Sequence, residues 1–145
     1  MKRKSFCIVC IANYCRSPVL ETFLKERFPE KYEFLSAGLS PLHMPNMDPR
    51  SLNFLKKHNI KNIIHTPKRI NKRILEYFDI FIAVDFFVLM ELNRLYPRYK
   101  KKFKLSTSQF KKIDIIDPYK LNDMQYESVM NDIHKVSKDI DLEII

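Results

Sequence analysis

The chain has 145 residues, 46% of them hydrophobic and 30% charged, a length that suits one domain over residues 1–145 and a composition that excludes a disordered or fibrous protein. Its formal net charge of +9 favours acidic partners without choosing between phosphoproteins, nucleic acids and anionic surfaces. The densest basic runs, Lys100 to Lys102 and Lys111 to Lys112, sit in no nucleic-acid motif and beside no base-stacking aromatic platform, so no nucleic-acid partner is expected.

Met1 to Ser5 lead straight into a strand-like segment, and no apolar run reaches the roughly 18 residues that a bilayer span requires; a cytoplasmic protein without membrane insertion is expected. Phe6 to Cys10 is apolar without alternation, as in a strand buried on both faces of a parallel sheet. Pro18 fits a first helical turn, and Val19, Leu20, Phe23, Leu24 and Phe28 recur at helical spacing until Pro29. Glu33 to Ala37 reads as a second strand closed by Gly38, followed by a loop over Ser40 to Met47. Asp48 can cap a helix over Pro49 to His58, with Leu52 and Leu55 on one face.

A short segment at Ile63 to His65 precedes a helix around Asn71 to Tyr77 and an apolar strand, Ile80 to Val84, closed by Asp85. Val88, Leu89, Leu92 and Leu95 mark a helix that stops before Pro97; Phe103 to Leu105 is a fourth strand candidate, and Ser106 to Pro118 is mostly loop. A last helix runs from about Met124 to Ile140 on Val129, Met130, Ile133, Val136 and Ile140. Strands alternating with helices predict an α/β fold, a three-layer sandwich with a central four-stranded parallel sheet and helices on both faces. Such sheets bind ligands at the carboxyl ends of their strands, where Cys10 and Asp85 fall.

Cys7, Cys10 and Cys15 crowd into one short stretch, so a disulfide among them could not staple distant parts of a secreted scaffold. They are followed by no second Cys or His pair, and the four histidines are scattered, so neither a metal nor another cofactor is expected. The segment Cys10-Ile11-Ala12-Asn13-Tyr14-Cys15-Arg16-Ser17-Pro18 lies between a buried strand and a helix start. Backbone N–H groups of such a loop converge on one concavity and bind phosphate, with the helix dipole favouring negative charge. The same field favours the anionic form of a thiol, so Cys10 is expected to be a thiolate nucleophile at neutral pH. Arg16 can take two phosphate oxygens bidentately, Ser17 can donate to the Cys10 sulfur, and Asn13 tolerates a positive φ.

Cys10 to Pro18 resembles the C-x5-R-S-P signature of low-molecular-weight protein tyrosine phosphatases. Ser36-Ala37-Gly38, His43, Asp48-Pro49-Arg50, His65, Asp85 and Asp117-Pro118-Tyr119 follow in the family's order, so the resemblance covers nearly the whole chain. It implies hydrolysis of phosphotyrosine through a covalent phosphocysteine on Cys10, with Asp117 protonating the leaving oxygen and later activating water. The tail from Asp117 to Asp123 looks most like the bacterial branch that dephosphorylates tyrosine kinases controlling exopolysaccharide or capsule export. The implied partner is a tyrosine-phosphorylated protein, in that branch a bacterial tyrosine kinase.

Individual residues keep two readings. Asp117 is a general acid or a turn residue before Pro118; His65 orients Asn13 or is a satisfied core histidine; Asp85 supports the loop or caps a strand end. Ile11, Leu42 and Tyr119 line the mouth and grip an aromatic ring, or pack ordinarily. By resemblance Cys15 forms a reversible disulfide with Cys10, and otherwise it is a buried thiol; Cys7 is core. Three positions depart from the family pattern. Ala12 stands where glycine is usual and would be strained at a positive φ, Tyr14 is bulky where a small or aliphatic residue is usual, and Lys120 replaces a second tyrosine found in many eukaryotic relatives. The alternatives are a phosphoarginine phosphatase on the same fold, against which Tyr14 argues, and a phosphate-binding pseudoenzyme if Ala12 disables the loop.

Overall fold

Ser5–Cys10 forms β1, and every one of its six residues is buried, as its unbroken apolar run requires of a central parallel strand. The computed structural model describes residues 2–111 and 114–145; Lys112 of the second basic run lies outside the described residues. The remaining strands are β2 (Glu33–Gly38), β3 (Ile80–Ala83) and β4 (Phe103–Leu105), and the helices are α1 (Ser17–Arg27), α2 (Pro49–Lys57), α3 (Lys72–Tyr77), α4 (Phe86–Leu95) and α5 (Asp123–Asp139). A 3₁₀ turn over Pro97–Lys102, absent from the sequence reading, carries the Lys100 to Lys102 run on the surface.

The strands order as β2-β1-β3-β4 and all pair in parallel. The register sets Cys10 opposite Gly38 and Val9 opposite Ala83. From β1 the chain steps one way to β2 and later the other way from β3 to β4, and right-handed crossovers in opposite directions place α1 and α4 on opposite faces of the sheet. α1 packs on β1 and β2, α5 returns to cover α1, and α4 packs on β3 and β4, which completes the three layers. The strand order reverses between β1 and β3, so the crevice for a ligand opens beyond their carboxyl ends, where Cys10 and Asp85 stand.

Helix starts follow their capping residues. Asp48, Asn71 and Asp85 each accept a hydrogen bond from a backbone N–H in the first turn of α2, α3 and α4, and Asn122 with Gln125 forms a reciprocal capping box at α5. α1 instead starts with Pro18 in its first turn and no side-chain cap, which leaves its N-terminal amides to the loop before it. Among the described residues, no helix is long and apolar enough to cross a membrane.

Candidate active site

The loop from Ile11 to Arg16 is anchored by its carbonyls. Those of Cys10, Ile11, Ala12 and Tyr14 accept from the amides of Leu39, Ser40, Leu42 and Asp48, respectively, at 2.7 to 3.2 Å. The amides of Ala12, Tyr14, Cys15 and Arg16 donate to no acceptor among the described residues, which leaves a row of N–H groups available to an anion. Gly38, the single glycine of the chain, lets β2 pass close beneath: a Cβ there would lie 2.7 Å from the Ile11 carbonyl oxygen and 2.9 Å from the Asn13 nitrogen.

Asn13 organises the interior of this loop. Its φ of 52° lies in the left-handed region that asparagine tolerates. Its Nδ2 donates to Ser17 Oγ at 2.9 Å and to Ser36 Oγ at 3.0 Å, and its Oδ1 accepts from the Lys68 amide at 2.9 Å. Ser36 in turn donates to the buried Glu21 at 2.5 Å. Because Ser17 Oγ accepts from Asn13, its own hydrogen is left for Cys10 Sγ, 2.9 Å away, and the Asn13 amide donates to the same sulfur at 3.2 Å. Two donors thus converge on Cys10.

His65 Nε2 lies 2.8 Å from the Asn13 carbonyl oxygen. A carbonyl only accepts, so Nε2 carries the hydrogen. Burial lowers the pKa of His65 below the ordinary histidine value, against the opposing pull of the Asn13 carbonyl, and the ring is neutral at neutral pH.

Arg16 is nearly inaccessible, at 2% exposure. Its Nη1 donates to Asp85 Oδ2 at 2.6 Å and to the Ile115 carbonyl at 2.7 Å. Among the described residues Nε and Nη2 have no partner, so one edge of the guanidinium is fixed and the other is available. Burial works against its charge, but Cys10 and Asp85 outweigh this and raise its pKa further. Asp85 serves both sequence readings, because its Oδ1 accepts from the Val88 amide to cap α4 while Oδ2 holds Arg16.

A cavity of about 210 Å³ brings the predicted residues together. Cys10, Ile11, Ala12, Tyr14, Cys15 and Arg16 form its floor, and Leu42, Asp117 and Tyr119 reach it from two other segments, with Ser40 beside them. Asn13, Ser17 and His65 stand behind the floor. Asp117 is exposed and its carboxylate accepts from the Tyr119 amide at 3.1 Å, so it both shapes the turn and faces the cavity. Tyr14 and Tyr119 meet edge to face with centroids 6.1 Å apart, giving the mouth two aromatic walls. Cys15 is buried, its thiol pushed up to about 12 chiefly by burial. Cys7 is fully buried in the core, and all three cysteines are free thiols.

One expectation needs correction. Ala12 is not at a positive φ; among the described non-glycine residues only Asn13, Asn59 and Asn62 are. The left-handed strain falls on Asn13, which accommodates it, so the loop gives no reason for an inactivated site. A larger cavity of about 470 Å³ between α2 and α5 includes none of the predicted site residues.

The family model described as low molecular weight phosphotyrosine protein phosphatase matches residues 5–143. The chain belongs to that family. Within it, a mouse low molecular weight phosphotyrosine protein phosphatase is 32% identical over 137 residues, covering 87% of this chain and 86% of the relative. A low molecular weight protein-tyrosine-phosphatase named Wzb from Salmonella typhi is 28% identical over 122 residues, covering 84% of this chain and 81% of the relative. The solved structure of the tyrosine phosphatase Wzb from Escherichia coli K30, in complex with sulphate, shares the fold with a TM-score of 0.86 at 24% identity, over 94% of each chain. In this phosphatase family member the residues missed from the sequence are Glu21, Ser40, the Lys68 amide and the Ile115 carbonyl. Glu21 had a signal: a carboxylate between Leu20 and Leu24 on the buried face of α1 needs a partner.

Proposed function

We propose that this phosphatase family member hydrolyses phosphotyrosine in proteins. The Cys10 sulfur attacks phosphorus, forming an S–P bond as the P–O bond to tyrosine breaks; the departing phenolic oxygen takes the proton of Asp117. Asp117, now a carboxylate, takes a proton from water as the water oxygen attacks phosphorus, the S–P bond breaks and phosphate leaves. The loop amides and Arg16 hold the three peripheral oxygens throughout and follow them into the transition state. The observation that carries this reading is the one cavity shared by Cys10 and Arg16, from the end of β1 and the loop after it, and Asp117, about a hundred residues further along the chain.

The partner this implies is a tyrosine-phosphorylated protein of the cytoplasm, and in the bacterial branch a tyrosine kinase; the likeness to relatives named Wzb supports that branch. The domain assignment is one phosphatase unit over residues 1–145, and the family model's match to residues 5–143 supports it. Side-by-side hydrolysis of phosphotyrosine, phosphoserine and phosphoarginine peptides tests the reading. Phosphotyrosine is expected to turn over fastest, because Tyr14 and Tyr119 offer edge-to-face contacts to its phenyl ring, whereas phosphoserine has no ring and phosphoarginine presents a P–N bond on a polar guanidino group. Faster phosphoarginine turnover would overturn it.

A further inference from the structure

We propose that Arg50 is a positioning residue that holds the Asp117-bearing segment in register with the phosphate-binding loop. The proposal rests on the assignment of Asp117 as general acid. Asp117 is exposed, and among the described residues its carboxylate is held by a single bond, from the Tyr119 amide. Its place therefore depends on what fixes Tyr119 and the residues after it.

Arg50 does that. Its Nη2 donates to the Tyr119 carbonyl at 2.9 Å and its Nη1 to the Leu121 carbonyl at 3.0 Å. The adjacent edge, sharing Nη2, grips Asp48, Nε to Oδ1 at 3.1 Å and Nη2 to Oδ2 at 3.0 Å, and the guanidinium lies 4.0 Å over the Tyr126 ring. Asp48 belongs to the phosphate loop's support. Its amide donates to the Tyr14 carbonyl at 3.0 Å, and the Cys15 thiol points at its Oδ2 from 3.9 Å. Ser51, one turn on, donates to the Cys15 carbonyl at 2.9 Å. The start of α2 thus ties the loop that would bind phosphate to the segment that would donate the proton. A partly solvated ion pair adds little stability, so the consequence of these bonds is geometric. Lysine, a point charge on a flexible stem, cannot address two carbonyls and a carboxylate in one plane.

The test is a double-mutant cycle on the intact chain with Arg50→Lys and Asp117→Asn. Two substrates are used, a phosphotyrosine peptide and a nitrophenyl phosphate whose leaving group needs little protonation. Arg50→Lys is expected to lower kcat on the peptide by roughly 10- to 100-fold and on the activated ester far less, with inhibition by inorganic phosphate unchanged. In the Asp117→Asn background the same substitution should add no further leaving-group dependence, because residues acting as a unit are non-additive. Equal losses on both substrates, or losses that simply add, overturn the proposal. Should Arg50→Lys fail to fold by circular dichroism, Arg50→Gln takes its place. Amide exchange at residues 119–121 gives a readout independent of turnover, expected faster in the variant; unchanged exchange overturns the proposal. A failure of the acid assignment is recognised separately, as an Asp117→Asn variant that slows both substrates alike.

Discussion

Asp85 divides its two oxygens between two tasks: Oδ2 stands 2.6 Å from Arg16 Nη1, and Oδ1 caps the first turn of α4 at 2.8 Å from the Val88 amide. Substitutions can separate them. Asp85→Asn keeps a good capping residue but removes the charge facing a buried guanidinium, at an expected cost of roughly 2–3 kcal/mol. Asp85→Ala loses the cap as well, about 1 kcal/mol more. Urea unfolding measures both, and inorganic phosphate inhibition should weaken in both, since Arg16 loses the anchor on its fixed edge. Unaltered phosphate affinity in Asp85→Asn would show that the Ile115 carbonyl alone sets the guanidinium.

The phenolic oxygen of tyrosine is a poor leaving group, with a pKa of about 10, and a general acid contributes roughly 10²- to 10⁴-fold to its departure. Asp117→Asn is therefore expected to slow a phosphotyrosine peptide far more than an activated aryl phosphate, whereas Cys10→Ser should abolish turnover of both and still bind the peptide. Steady-state kinetics on the two substrates decides this, with circular dichroism confirming the fold.

Oxidation of Cys10 should not be rescued quickly by its neighbour. Cys15 shares the cavity floor, but burial pushes its thiol up to about 12, and attack on a sulfenic acid needs the thiolate. Disulfide formation after mild peroxide is expected to be slow at pH 7 and to accelerate about tenfold per pH unit, as followed by mass spectrometry of the trapped thiols. A fast, pH-independent bridge between Cys10 and Cys15 would contradict this.

His65 gives the fold an acid-sensitive joint. Its folded pKa is lowered by burial, so below the unfolded value of about 6.5 the unfolded chain holds a proton that the folded chain does not. Stability then falls as pH falls through that range and is fully present above it. In His65→Gln this part of the decline should vanish while the amide can still donate to the Asn13 carbonyl. Chemical denaturation between pH 5 and pH 8, wild type against variant, isolates it from His134, whose pKa is also lowered by burial.

The strands and helices were legible because each declares itself locally: an unbroken apolar run for β1, Asp48 and Asp85 before their helices, a proline in the first turn of α1. The 3₁₀ turn at Pro97–Lys102 was not, since a proline, one tyrosine and four basic residues leave no apolar period to read. In the site, residue types and their order pointed to Cys10, Arg16 and Asp117, and the structure brings these three to one cavity. What the sequence could not show was connection through the backbone: the Lys68 amide on Asn13, the Ile115 carbonyl on Arg16 and the Tyr119 and Leu121 carbonyls on Arg50. Backbone groups are the same at every residue, so composition carries no trace of which ones are used. Asp85 was read as one role or the other, because a one-letter code does not record that a carboxylate has two oxygens.

The parallel sheet also constrains the order in which this molecule can assemble. Among the described residues no strand pair is a hairpin; each needs a helical crossover, and β1 must find β3 some seventy residues downstream before the crevice between them exists. Closing long loops costs entropy before any contact repays it, which slows folding of such topologies. The loop after Cys10 needs Asp48, His65 and the Lys68 amide as well as the β1–β2 pair, and Asp85 and Asp117 arrive later still, with β3 and the segment beyond β4. During synthesis the proposed nucleophile therefore emerges long before the proposed proton donor, and chemistry waits for the last quarter of the chain.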